Sequence, residues 1–136
     1  MDASVHVSLV IAAAPDTVYR WAADPANLSR WAGGLASAPV EEVDGVLVVD
    51  SPLGRVTVVF APPNDWGVLD HRVTLPSGEE VDNPMRVLAH PDGAEVVFTV
   101  RRRADMSADD LDRDVAAVRA DLESLRRHLE GADASS

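Results

Sequence analysis

The chain has 136 residues, is 46% hydrophobic and carries a formal charge of −11, which bounds it to one domain with one core and disfavours nucleic acid and anionic lipid surfaces as partners. It has no cysteine, and its 12 basic residues are all Arg, so disulfides, Cys-ligated metals, a thiol nucleophile and lysine Schiff-base chemistry are excluded. No apolar run approaches the roughly 18 residues of a membrane span, and the opening MDASVHV lacks the basic and apolar regions of a signal peptide, so a cytoplasmic location is expected.

Val5, Val7, Leu9 and Ile11 alternate with His6 and Ser8, a period of two that predicts a half-buried strand. Pro15 suits the first position of a helix, and Val18, Trp21 and Ala22 follow at helical spacing. Ala14, at the capping position, has no side chain to cap with. Asp24 and Pro25 cap and start a second short helix that carries Leu28 and Trp31 and ends at Gly33-Gly34. Apolar runs then alternate with turn residues. Asp44-Gly45 between Val40–Val43 and Val46–Val49 is a strong hairpin signal. Strands follow at Arg55–Ala61, Val68–Leu75, Glu80–His90 and Ala94–Arg103, with turns at Pro52-Leu53-Gly54, Pro76-Ser77-Gly78 and Pro91-Asp92-Gly93. Pro84 predicts a bulge or an edge in its strand.

The last segment reads as one helix from Ser107 to Glu130, roughly 36 Å long at 1.5 Å per residue. Ser107 and Asp110 form a capping box, and Leu111, Val115, Val118, Leu122, Leu125 and Leu129 make one apolar stripe. Arg126, Arg127 and His128 suit a last turn, Gly131 suits the stop, and 132–136 reads as a disordered tail after a single domain at 1–131. The fold class is therefore α+β: a curved antiparallel sheet of about seven strands, in the order β-α-α-β6-α, wrapped on a long C-terminal helix. A narrow helical stripe cannot fill a broad concave sheet, so a cavity between them is expected.

Pro15, Val18, Trp21, Asp24, Pro25 and Trp31, followed by the terminal amphipathic helix, resemble the pattern of the START-like (SRPBCC) superfamily with its helix-grip fold. That group includes birch-pollen-allergen-like proteins, polyketide cyclases and dehydratases, lipid-transfer domains and activators of heat-shock ATPases. The resemblance spans residues 4 to 130 and implies the fold; its members include enzymes, carriers and regulators, so it leaves the activity open.

His71 is the residue most able to do chemistry. It shares an alternating face with Leu69, Val73 and Leu75 and should point inward, whereas Asp70 points outward. It can be an acid or base, a polar ligand contact, or a core histidine satisfied by a hydroxyl or carbonyl. Either Met85 or Arg86 can face inward beside Pro84; an outward Arg86 would pair with Asp70. Trp21 reads as core, Trp31 as a residue bordering the cavity, and Trp66 as a loop residue covering an edge or gating an entrance. His6 and His90 should face solvent, and Arg101-Arg102-Arg103 reads as a solvated face. The four histidines show no ligand spacing, so neither a metal site nor a cofactor is expected.

The expected ligand-binding set is Trp31, Val58, Phe60, Leu69, His71, Val73, Met85, Phe98, Val118 and Leu122, with Val48 also facing inward. The leading reading is binding of a small hydrophobic or aromatic molecule, lipid-like or polyketide-like, in an internal cavity. The alternatives are a cyclase or dehydratase using His71 as acid or base, with Tyr19 or Arg86 assisting, and a regulator that docks on a protein partner through an exposed apolar patch. Association of two copies through the leucine stripe is a further possibility.

Overall fold

The computed structural model describes residues 4–32, 40–51, 54–102 and 106–134, with side chains described as far as Gly131. Elements follow in the order β1 (Ser4–Ile11), α1 (Pro15–Ala23), a 3-10 turn (Pro25–Asn27), α2 (Leu28–Trp31), β2 (Glu41–Val43), β3 (Val46–Ser51), β4 (Gly54–Phe60), β5 (His71–Thr74), β6 (Glu80–Asn83), β7 (Met85–His90), β8 (Gly93–Arg101) and α3 (Ala108–Ala134). The class is α+β, as expected. The expected ends at Gly33-Gly34 and the turn residues Pro52 and Leu53 lie outside the described residues, as does Arg103.

All strand pairs are antiparallel, in two ladders: β2-β3-β4-β5-β6 and β1-β8-β7. The expected Glu80–His90 strand is thus two strands, broken at Pro84. The pairing frame nevertheless continues across the break. His71 faces Asn83 in one ladder, and beyond it Leu69 N–H donates to the Met85 carbonyl (2.9 Å) and Val87 N–H to the Gly67 carbonyl (2.9 Å). Thr99 N–H donates to the Pro84 carbonyl (2.9 Å), which ties the kink to β8. Pro84 has no N–H to give, and its neighbour's Met85 N–H turns to the Asp70 carboxylate instead (2.9 Å). Counted as one kinked strand, β6 and β7 give the seven strands of the expected sheet.

Local signals account for most boundaries. Asp44 (φ 52°) and Gly45 (φ 80°) make the tight β2–β3 turn, where two positive φ values match the twist of the flanking strands. Gly67 (φ 69°) lets β7 approach: a Cβ there would lie 2.2 Å from the Val87 carbonyl oxygen. Ala14 supplies no side-chain cap to α1, and the Asp24 carboxylate accepts from Ala26 N–H (3.0 Å). The capping box closes reciprocally: Asp110 N–H donates to Ser107 Oγ (3.0 Å), and Ser107 N–H to Asp110 Oδ2 (3.1 Å).

Four expectations are corrected. α3 runs past Gly131 to Ala134, because Gly131 is not left-handed and forms no stop; Arg126, Arg127 and His128 therefore lie inside the helix, and only Ser135 and Ser136 of the expected tail lie outside the described residues. Val48 is not the inward residue of β3. Leu47 pairs with Val58 and Val49 with Val56, all four buried, and an unbroken apolar run offers no alternation to read. Trp21 is half-buried at the edge of the core and stacks on His128, with ring centroids 5.3 Å apart. His90 is half-buried, with Nδ1 accepting from Asp92 N–H (3.0 Å).

The helix stripe is buried unevenly, and this makes the cavity. Leu122, Leu125 and Leu129 are fully buried, while Leu111, Val115 and Val118 are only half-buried. α3 packs mainly on β1, β8 and α2. Its C-terminal half seals the core, and its N-terminal half leaves room above β5, β6 and β8.

Candidate functional site

That room is a cavity of about 190 Å³ between the concave face of the sheet and α3. Its floor comes from β5 (His71, Val73) and β8 (Phe98, Val100), with Leu75, Val81 and Asn83 beside them. Trp31 and Ala32 close one end, and Asp114, Ala117, Val118 and Asp121 of α3 form the roof. Asp114 and Ala117 are exposed, which places the mouth along α3.

Trp31 is held by a short stack of local bonds. The Asp24 cap starts the 3-10 turn. The buried Asn27 side chain donates from Nδ2 to the Trp21 carbonyl (3.1 Å), and Ser124 Oγ of α3 donates to the Arg30 carbonyl (3.0 Å). The indole is 2% exposed, and among the described residues its Nε1–H is the buried side-chain polar atom with no hydrogen-bond partner. A buried donor left unmade costs about 1–3 kcal/mol.

His71 is 6% exposed, stacked on Phe60 (centroids 4.7 Å apart) and edge-on to Phe98 (5.7 Å). Its Nδ1 lies 3.0 Å from the Leu69 carbonyl. A carbonyl only accepts, so Nδ1 carries the proton and Nε2 of the neutral ring is a bare acceptor. Burial pushes the imidazole below its ordinary 6.5; the Leu69 carbonyl and the Asp70 charge pull it partly back. His71 is therefore a neutral imidazole in an apolar wall.

The outward residues are as paired as the inward ones are bare. Arg86 donates to Asp70 through Nε (3.0 Å) and Nη2 (2.7 Å), so Met85 is the inward residue and Arg86 the outward one. Arg86, together with the Met85 N–H, holds the Asp70 carboxyl below the usual range. Arg72 bridges Asp82 (2.8 Å) and Glu80 (3.2 Å) nearby. A depression of about 710 Å³ is lined by the charged Asp70, Arg72, Glu80, Asp82 and Arg101 together with Phe60, His71 and Asn83, so His71 and Asn83 border both spaces.

Of the expected ligand-binding residues, Trp31, His71, Val73, Phe98 and Val118 line the cavity. Phe60 backs His71. Met85 and Leu122 are core, and Val58 and Leu69 are buried beside a separate depression of about 350 Å³ near Tyr19. Tyr19 and Arg86 are not among the described residues lining His71's cavity: the Tyr19 hydroxyl accepts from Asn64 N–H (3.0 Å), and Arg86 lies on the outer face. Trp66 is 79% exposed and lines a shallow groove with Leu88; the other large exposed apolar residues described are Val43 and Val59. Among the described residues no group of three His, Asp or Glu is placed to hold a metal, and no helix is long and apolar enough to cross a membrane.

Asp114 and Asp121 were not foreseen as cavity residues, although their spacing of seven puts both on the same flank of the stripe. Asn83 was also missed; it reaches the cavity because it pairs with His71, a register visible only once the hairpin is folded.

No family model and no curated protein sequence matches the chain. Solved structures do. XoxI from Bacillus cereus superposes with a TM-score of 0.75 at 12% identity, over 96% of this chain and 98% of that one. Ara h 8.0201 superposes with a TM-score of 0.70 at 12% identity, over 96% and 99%. The fold is the helix-grip fold that these structures share. DynU16, encoded in the dynemicin biosynthetic locus, also matches (TM-score 0.71, 19% identity, 93% of this chain), and this chain spans about half of it, 47%. At these identities the likeness carries the fold alone.

Proposed function

We propose that the protein binds a small hydrophobic molecule of the aromatic class in the cavity between the sheet and α3. The observation that carries this reading is the cavity itself: about 190 Å³, walled by Trp31, Val73, Phe98, Val100 and Val118, with His71 as its one buried titratable side chain among the described residues. An apolar cavity of about 150 Å³ takes up benzene. This cavity therefore suits one ring with a short substituent. For 7 to 10 heavy atoms, ordinary ligand efficiencies give a dissociation constant of about 0.1–1 mM. Isothermal titration with toluene and phenol tests the reading. Saturable one-to-one binding, lost when Val73→Trp fills the floor, is expected; absence of saturable binding refutes it.

A reaction of the cyclase or dehydratase type is the second reading. It is favoured by the two α3 carboxylates, Asp114 and Asp121, which line the same cavity as His71. In that reading the bare Nε2 of His71 takes a proton from bound substrate, and His71→Gln abolishes turnover while retaining binding. The volume argues against a long folded chain as the substrate.

A further inference from the structure

His71 carries an acceptor that no described residue fills. Its ring is 6% exposed, Nδ1–H donates to the Leu69 carbonyl (3.0 Å), and Nε2 receives no donor from the described residues. Nε2 is not sealed either. Among the described residues, the buried side-chain polar atom that lacks both a partner and accessible surface is the Trp31 indole nitrogen. Nε2 therefore meets open space. His71 borders two such spaces, and strand alternation decides between them. Its neighbours Asp70 and Arg72 project onto the outer face and line the charged depression, whereas the side chains of His71 and Val73 project onto the concave face and floor the cavity under α3. Phe98, another wall of that cavity, meets the imidazole edge-on at 5.7 Å, which sets the ring itself at the cavity.

The chemistry of the wall then limits the occupant. A neutral imidazole nitrogen takes an O–H or N–H and repels a lone pair. An ionised carboxylate or phenolate brings no hydrogen. Among the described lining residues there is no Arg, Asp114 and Asp121 line the roof, and the chain carries a charge of −11, so an anion meets repulsion without a counter-ion. About 190 Å³ holds one ring with a short substituent, which puts the donor directly on the ring. We infer that the ligand is a neutral, single-ring phenol whose hydroxyl donates to His71 Nε2, and that this acceptor sets the specificity of the cavity. The inference rests on the binding reading above and adds the chemistry that the cavity selects. A ring without the hydroxyl fills the same space but covers Nε2 unpaired.

Phenol and toluene are a near-isosteric pair, differing in OH against CH3, and anisole keeps the oxygen but lacks the donor. Affinities are measured by titration for the wild type and for His71→Phe, which keeps a ring between Phe60 and Phe98 and removes the acceptor. The ratio of phenol to toluene affinity is expected to fall about five- to tenfold in His71→Phe, the worth of one buried hydrogen bond. The ratio of anisole to toluene affinity is expected not to fall. Asp114→Asn and Asp121→Asn, which alter the other acceptors at the roof, are expected to leave the phenol preference intact. Independently, the Nε2 nitrogen resonance of His71 in the wild type, assigned through proton contacts of its ring with Phe60 and Phe98, is expected to move upfield with phenol and not with toluene. Both ligands binding with an unchanged ratio in His71→Phe and an unmoved Nε2 resonance overturns this inference and leaves the binding reading standing. A phenol preference lost in either Asn variant and kept in His71→Phe overturns the assignment of the acceptor. Neither ligand binding the wild type overturns both readings. Should His71→Phe fail to fold, the wild-type nitrogen resonance decides alone.

Discussion

Acidification should weaken the native state through a single buried ring. His71 is neutral when folded, and burial holds its pKa below the 6.5 of an exposed histidine. The sign follows from linkage: below pH 6.5 the unfolded chain takes up a proton that the folded ring refuses, so stability is full above that value and falls with pH. With RT at 0.59 kcal/mol, going from pH 7.5 to 5.5 costs about 1.4 kcal/mol while the folded ring stays neutral, and the loss stops growing at the folded-state pKa. Asp70, Asp16, Asp82 and Asp110 all have lowered pKa values, so they remain ionised across this window. The Leu69 carbonyl and the Asp70 charge oppose the effect by favouring a protonated ring, and burial outweighs both; the carboxylates that share the cavity with His71 are Asp114 and Asp121 of α3. The assay is urea denaturation of the wild type and His71→Phe at both pH values; Phe preserves the ring contacts with Phe60 and Phe98. At a slope of about 1–3 kcal/mol per molar urea, the wild-type midpoint should fall about 0.5–1.4 M further than that of the variant. Equal pH slopes in the two proteins would refute the neutral, buried assignment of His71.

Val118→Phe directs a ring into the cavity from the half-buried part of α3, and should weaken toluene binding at least about tenfold with a stability change within about 1 kcal/mol, read by titration and thermal melting. Along the same stripe, Leu125→Ala should cost about 2–5 kcal/mol, because Leu125 is fully buried, while Val115→Ala should cost about 1 kcal/mol or less. Equal costs in denaturant melts would show that α3 seals the sheet along its whole length. Asp70→Ala orphans the Met85 N–H at the Pro84 kink and should cost about 1–2 kcal/mol, against about 0–1 kcal/mol for Arg86→Ala, which removes only an exposed pair. A reversed order in chemical denaturation would mean that the ion pair, and not the backbone contact, stabilises the kink.

The fold was legible because its signals are local. The Asp24 cap, the Asp44-Gly45 turn, the Ser107–Asp110 box and the period of the α3 stripe each involve a few neighbouring residues, and each formed as read. The inward placement of His71 followed from strand alternation. What escaped depends on pairing between distant segments. Val46–Val49 is apolar at every position, so only the register with β4 chooses Leu47 and Val49 as the inward pair. Pro84 announced an interruption, but its consequence depended on the Asp70 side chain taking the place of a backbone acceptor. The cavity's membership depends on how far α3 lifts from the sheet. That tilt makes Val118 a lining residue and Leu122 a core residue, although both belong to one stripe. Trp31 was expected at the cavity through the resemblance, which puts the end of the second short helix at its border, and it lines the cavity. Its unpaired N–H was not legible, since a missing partner is a property of the packed surroundings.

The central claim is that a small aromatic molecule enters the space between α3 and the sheet. Methyl-resolved NMR during a toluene titration tests it most directly. The account predicts saturable shifts concentrated on the methyls of Val73, Val81, Val100 and Val118, with those of Leu125 and Leu129 in the sealed half barely moving. Shifts that stay linear to the solubility limit, or that cluster instead on the exposed Val43, Val59 and Leu88, would contradict it.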